Sequence, residues 1–172
     1  MNNGHAVESE WMRGILLRFE GDLIRYAQRI VGDEGRARDV VQETFLKLWR
    51  IDRAQVDGHL VEWLYTACRN QAVDVWRKEQ RMQTLAEETV AVRASKLASP
   101  AAVAERRDSA AQVLDLVDRL PANQQEAIRL KFQSGLSYRE ISRVMGLTVT
   151  HVGVLIHTGL KSIRLKLNTA PV

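Results

Sequence analysis

Cysteine is nearly absent from this chain of 172 residues, where Cys68 stands alone. One thiol can close no internal disulfide and build no thiolate metal cluster, and its place among apolar residues at helical spacing reads as a buried, inert side chain. Histidine is sparse too. His5, His59, His151 and His157 are scattered, without acidic or cysteine co-ligands at a metal spacing, so no metal site is expected. There is no glycine-rich phosphate loop, no G-x-S-x-G and no close carboxylate pair in a plausible cleft, which leaves no catalytic residue and no cofactor to name. The chain therefore reads as a binding protein rather than an enzyme. Long apolar runs are also missing: none approaches the roughly 18 residues that a membrane span needs. The opening MNNGHAVESEWMRG has neither the basic start nor the apolar stretch of a signal peptide, so the expectation is a cytoplasmic protein with no membrane insertion.

What is present suffices for folding, since 45% of the residues are apolar and can bury a core. The net charge of +4 is unevenly distributed. Residues 1–95 hold 14 basic and 15 acidic side chains, residues 96–172 hold 11 and 6, and no acid follows Glu140. A near-neutral first part and a second part at +5 suggest that the second meets a polyanion and the first something else.

Strand-like alternation is lacking throughout, and helical periodicity dominates, so the fold class is all-α. A first helix runs from near Ser9 to Gly32-Asp33, with Gly21 its one expected break, and a second, capped by Asp33, runs to about Arg50. Ile51–Gly58 reads as a polar loop and residues 59–81 as a third long helix. Met82–Ser99 has little periodicity and few large apolar residues. It reads as a flexible linker between two small helical domains, at 9–81 and 100–168. Ser99-Pro100 starts a helix that continues to Leu120, and Pro121 opens the next, which ends at Ser134-Gly135.

Ser137-Tyr-Arg-Glu140 is a capping box for a short helix that stops at Gly146, and a new helix begins around Thr148 or Thr150. That is a helix-turn-helix pattern. At 100° per residue the last helix turns Val152, Ile156, Leu160, Ile163 and Leu167 inward. Its outer face carries Thr150, Val154, His157, Lys161 and Arg164, flanked by His151 and Thr158, the kind of surface a recognition helix offers to base edges.

Two further faces stand out. On the second helix Ala37, Val41, Thr44, Phe45, Leu48 and Trp49 form the core side, whereas Leu46 falls among Asp39, Gln42, Glu43 and Arg50, as in a small protein-binding patch. The third helix buries Leu60, Leu64, Ala67, Cys68, Ala72 and Val75. It turns Trp63, Thr66, Asn70, Asp74, Arg77 and Arg81 outward, where an aromatic could stack on an unpaired base and Arg77, Lys78 and Arg81 could neutralise phosphates.

Together these segments resemble the extracytoplasmic-function sigma factors, the compact branch of the sigma-70 family of bacterial RNA polymerase subunits, over about residues 15–81 and 108–168. Asp39-Val-Val-Gln-Glu-Thr-Phe-Leu-Lys-Leu-Trp-Arg50 resembles region 2.2. Trp63-Leu-Tyr-Thr-Ala-Cys-Arg-Asn-Gln-Ala-Val-Asp74, continuing to Arg77, resembles regions 2.3 and 2.4. Leu120-Pro-Ala-Asn-Gln-Gln-Glu-Ala-Ile and Gly135-Leu-Ser-Tyr-Arg-Glu-Ile resemble region 4. The resemblance implies a sigma region 2 bundle and a sigma region 4 helix-turn-helix. The implied partners are core RNA polymerase, through its beta-prime and beta subunits, and promoter DNA, both duplex and melted. Asp39, Gln42, Glu43, Leu46 and Arg50 would dock the polymerase, and Trp63, Thr66, Asn70, Arg77, Lys78 and Arg81 would bind the −10 element. Arg139, Arg143, Thr150, His151, Val154, His157, Thr158 and Lys161 would bind the −35 element. The family also implies that the Ile51–Gly58 loop captures a flipped −10 base, and that an anti-sigma factor can be a partner.

Two other readings compete: a conventional helix-turn-helix regulator that binds its operator as a dimer, and a helical adaptor that binds protein alone. Neither accounts for the region 2 resemblance. The chain departs from the family in the recognition helix, where His151-Val-Gly-Val-Leu-Ile-His157 replaces an early Lys or Arg pair. Phosphate anchoring then falls to Arg139, Arg143, Lys161 and Arg164. The helix-turn-helix domain alone is expected to show a shallow salt dependence; a log Kd against log salt slope equivalent to about six or more released counterions would contradict it.

Overall fold

The computed structural model describes residues 3–87 and 109–168, and its contacts divide the chain into two compact units, Met1–Val92 and Arg93–Val172. Every regular element among the described residues is helical. In the first unit three helices, α1 (Asn3–Val31), α2 (Glu34–Trp49) and α3 (Leu60–Glu87), pack pairwise around one core.

α1 starts before Ser9 and passes through Gly21 without a break. A mid-helix glycine costs about 1 kcal/mol against alanine. That cost is offset by the burial of Leu23, Tyr26 and Ala27 just beyond it, each large side chain contributing about 1.5–3 kcal/mol. The turn to α2 follows the expected chemistry, with the Arg36 amide donating to Asp33 Oδ1 at 2.9 Å.

Leu23, Val40, Val41, Thr44, Leu48, Leu64, Cys68 and Ala72 fill the centre. The Tyr26 and Tyr65 rings meet edge to face, 5.1 Å between centroids. The buried Thr44 hydroxyl donates to the Val40 carbonyl at 2.8 Å, so its polarity is satisfied within its own helix. Burial pushes the Cys68 thiol up to about 12, against a smaller opposing effect of its hydrogen bond with Thr44, which leaves it protonated and unreactive.

The buried face of α2 is wider than a single stripe, because α2 contacts both α1 and α3, and Val40 joins it. Trp49, expected in the core, is 54% exposed: it closes the last turn of α2, where Leu48 and Phe45 already fill the interior side.

The Ile51–Gly58 loop is more structured than its polarity suggests. Asp52 caps a short 3-10 turn, Arg53–Gln55, by accepting from the Ala54 amide at 3.0 Å. Val56 plugs into the core and the Arg53 guanidinium lies 5.1 Å from the Trp11 ring. α2 and α3 are tied by a two-pronged contact between Arg36 and Glu79, with N–O distances of 2.6 and 2.7 Å, and by Lys47 donating to Gln71 Oε1 at 2.7 Å.

α3 continues to Glu87, six residues past the expected boundary at Arg81. MQTLAE contains good helix formers and no Gly or Pro, so helix propagation carries through it. The rest of the expected linker, and the helix start at Ser99-Pro100, lie outside the described residues.

The second unit holds α4 (Ser109–Asp118), α5 (Ala122–Phe132), α6 (Tyr138–Met145) and α7 (Val149–Asn168). The α4–α5 turn is locked by side chains. Gln125 Nε2 donates to the Asp118 and Leu120 carbonyls at 2.7 and 3.1 Å. Arg129, only 7% exposed, pairs with Asp118 at 2.6 Å and donates to Gln133 Oε1 at 3.2 Å, while its buried Nε has no partner.

α6 is bounded as its sequence requires: the Glu140 amide donates to Ser137 Oγ, the Ser137 amide donates to Glu140 Oε2 at 2.7 Å, and Gly146 ends the helix at φ 66°. Thr148, rather than Thr150, caps α7, its Oγ1 accepting from the His151 amide at 3.2 Å.

α7 buries Val152, Ile156, Gly159 and Ile163, whereas Leu160 and Leu167, expected inside, are 38% and 41% exposed. The reason is the close approach of α5 at Gly159. A Cβ there would stand 2.6 Å from Ile128 Cδ1 and 3.3 Å from Leu120 Cδ1, so the contact centres on the glycine and leaves Leu160 at its rim, while Leu167 lies beyond it in the last turn of α7.

The half-exposed Asp118 partners an almost fully buried Arg129, so the two ends of the pair are unequal. Asp118→Ala, which strands a buried charge, should cost about 3 kcal/mol in urea denaturation, and Arg129→Met clearly less. The reverse order would refute the latch. Ser137→Ala should cost about 1 kcal/mol. Its hydrogen bonds with Ser137 hold the Glu140 carboxyl below its ordinary value, so the ionised cap favours folding. Its contribution is complete well above the unfolded glutamate value of about 4.3 and is lost as the pH falls through it toward the lowered folded value. The wild-type advantage over Ser137→Ala should therefore be constant near neutrality and shrink below about pH 4.5 in melts followed by circular dichroism.

Candidate nucleic-acid and protein interfaces

Helices in small bundles can bury only part of their circumference, and what is left outside defines three candidate surfaces. The first is the outer side of α2. Asp39, Gln42 and Arg50 are exposed, Glu43 is half-buried and Leu46 is 44% exposed. Leu46 is not isolated. It lies on the wall of a groove of about 390 Å³ between α1 and α2, lined also by Leu16, Ile24, Phe45 and Trp49. The polar rim of this groove includes Glu20, Arg38 and Gln42, an apolar floor inside a polar edge, as protein interfaces have. Leu16 and Trp49 were missed from sequence. The spacing of Leu46 and Trp49, three residues apart on one helix side, was the available signal.

The second surface is on α3. Asn70, Asp74, Arg77, Lys78 and Arg81 are exposed as expected, but Trp63 and Thr66 are half-buried rather than turned fully outward. Both sit in the first half of α3, where the helix lies within the bundle; the exposed cations belong to the second half. Arg77, Lys78 and Arg81 make no ion pair among the described residues, and the one acid between them, Glu79, pairs with Arg36 of α2. The second half of α3 thus presents three unpaired cations, and Trp63 stands half-buried in its first half.

The third surface is formed by α6 and α7. Thr150, His151, Val154, His157, Thr158, Lys161 and Arg164 are all exposed along α7, and Arg139 and Arg143 are exposed on α6. Tyr138, at the start of α6, lies against Gly153 of α7, with ring carbons 3.8 and 4.0 Å from where a Cβ would stand, and its ring receives Lys131 at 5.5 Å. Tyr138 thus joins the start of α6 to the first turns of α7. No group of three His, Cys, Asp or Glu side chains among the described residues could hold a metal, and no described helix is long and apolar enough to cross a membrane.

Comparisons with known proteins bear on what these surfaces serve. Residues 15–82 match the family model for Sigma-70 region 2 and residues 110–163 that for Sigma-70, region 4. The chain is 32% identical over 139 residues to the ECF RNA polymerase sigma factor EcfG of Rhodopseudomonas palustris, covering 80% of this chain and 75% of that one. It is 28% identical over 166 residues to SigL of Mycobacterium tuberculosis, covering 94% and 92%. In fold it is similar to the sigma factor RpoE of Bartonella quintana, solved with the anti-sigma factor NepR (TM-score 0.63, 21% identity, 92% of this chain and 98% of that chain). It is also similar to CnrH in complex with the cytosolic domain of CnrY (TM-score 0.57, 21% identity, 95% and 91%). With both regions matched in order over two helical units, the chain belongs to the sigma-70 family, in its extracytoplasmic-function branch, and is a sigma factor that directs promoter-specific initiation by RNA polymerase.

Proposed function

We propose that the three surfaces divide the work of initiation. Asp39, Gln42, Glu43, Leu46 and Arg50 dock core polymerase, with the α1–α2 groove receiving an apolar side chain of the beta-prime subunit. Trp63, Thr66 and Asn70 hold the opened −10 strand, while Arg77, Lys78 and Arg81 neutralise its phosphates. The Ile51–Gly58 loop captures a flipped base, since unstacking costs a few kcal/mol that a pocket and stacking must return. Arg139, Arg143, Thr150, His151, Val154, His157, Thr158 and Lys161 bind the −35 duplex. In this reading residues 9–81 form the region 2 domain and 100–168 the region 4 domain, with 82–99 between them. The helical stretch to Glu87 extends the first.

One observation carries this reading: each helix that bears a proposed site buries one face in its own unit and leaves the proposed face at least partly exposed. No catalytic step belongs to the chain. Binding energy toward the melted state shifts the DNA, and the polymerase does the chemistry. The protein then acts in the cytoplasm beside its polymerase. The anti-sigma factor bound to the similar RpoE supports an equivalent inhibitor here.

Run-off transcription with core polymerase and genomic fragments tests the assignment. Promoter-specific transcripts are expected, and their absence, with no co-purification of core enzyme, would sink it. Glu43→Ala combined with Leu46→Ala should weaken core binding by about tenfold or more, as loss of a central anchor does. The melting temperature should stay within about 2 °C, since both side chains are at least partly exposed. Undiminished polymerase association in a pull-down would show that the docking face is elsewhere.

A further inference from the structure

We infer that this chain reads its −35 element through thymine C5-methyl groups, with Val154 and Thr150 as the methyl contacts, and not through two-pronged hydrogen bonds to purines. The inference rests on the proposal that α7 enters the major groove. Recognition helices touch base edges with their N-terminal residues. From Val149 to Leu160, α7 has no Arg, Lys, Asn, Gln, Asp or Glu. Every side chain that pairs a base edge with two hydrogen bonds, Arg or Lys for guanine and Asn or Gln for adenine, is therefore missing, as are the acids that accept from cytosine. Lys161 stands eleven residues beyond Thr150, roughly 16 Å along the axis at 1.5 Å per residue, where it suits a phosphate better than a base.

What the face does present is apolar. Val154 is 56% exposed, and Thr150 stands one turn before it on the same side with a second methyl group. The one apolar group that the major groove displays is the thymine methyl. His151, His157 and Thr158 supply single hydrogen bonds around this centre.

The test uses holoenzyme on a promoter found by run-off transcription, with the −35 region located by footprinting. Each −35 thymine is replaced in turn by uracil, which removes the methyl and leaves pairing unchanged. Wild-type affinity should fall about fourfold at a contacted position, as expected for one buried methyl group. Val154→Ala should weaken binding to the thymine promoter by a similar factor and lose the thymine–uracil distinction at one position; Thr150→Ser should do so at a neighbouring one. Wild-type affinity within twofold after all −35 thymines are replaced overturns the inference, and so does a Val154→Ala holoenzyme that still distinguishes the two bases at every position where wild type does. Lys161→Ala separates this from the underlying reading. It should weaken thymine and uracil duplexes alike, and unchanged binding to both would overturn the placement of α7 on DNA itself.

Discussion

Everything in this molecule depends on how a very small core claims one arc of each helix. In the first unit three helices share Leu23, Val40, Val41, Leu48 and Leu64 as their centre, and in the second four helices share Val117, Leu130, Ile141, Val152 and Ile156. Bundles of this size bury little surface, so their margin of stability is a few kcal/mol and depends on each large side chain that goes inside. Most of the circumference stays outside. A protein that must hold a polymerase, a melted strand and a duplex gains its interfaces from this geometry, since each outer arc is fixed once the inner arc is set.

Polar contacts refine the arrangement where packing alone is weak. Arg36 and Glu79 join α2 to α3, and Asp118 and Arg129 join the end of α4 to α5. They also distribute charge. Arg36 engages Glu79, and no ion pair joins the exposed Asp74 to Arg77, Lys78 or Arg81 one to two turns on, so the end of α3 presents three unpaired cations among the described residues. The positive balance of the second half behaves differently, because α7 carries no charge through its first three turns and its cations begin at Lys161. In the proposed reading charge there positions the DNA and uncharged side chains read it.

Much of the architecture was legible in the residues. Periodicity showed all-α structure, Asp33, Ser137 and Gly146 marked helix ends that form as their local chemistry dictates, and the outward face of α7 emerged whole. Family motifs then supplied the roles that periodicity cannot. The misplacements share one cause. Trp49, Leu160 and Leu167 were assigned to the core because an ideal 100° projection treats the buried arc as a straight stripe, while a partner crossing at a close point, such as α5 at Gly159, shifts and narrows it.

The sequence by itself determined the helices, their caps, the two-part organisation and the family, because these follow from local hydrogen-bonding chemistry and from patterns within a few turns. Only the tertiary structure decided that Leu46 shares a groove with Leu16 and Trp49, that Trp63 is half-sheltered, and that Arg129 is buried against Asp118. Those outcomes depend on where a second helix passes, a relation between residues 11 to more than 30 positions apart, and no pattern along one helix carries that information.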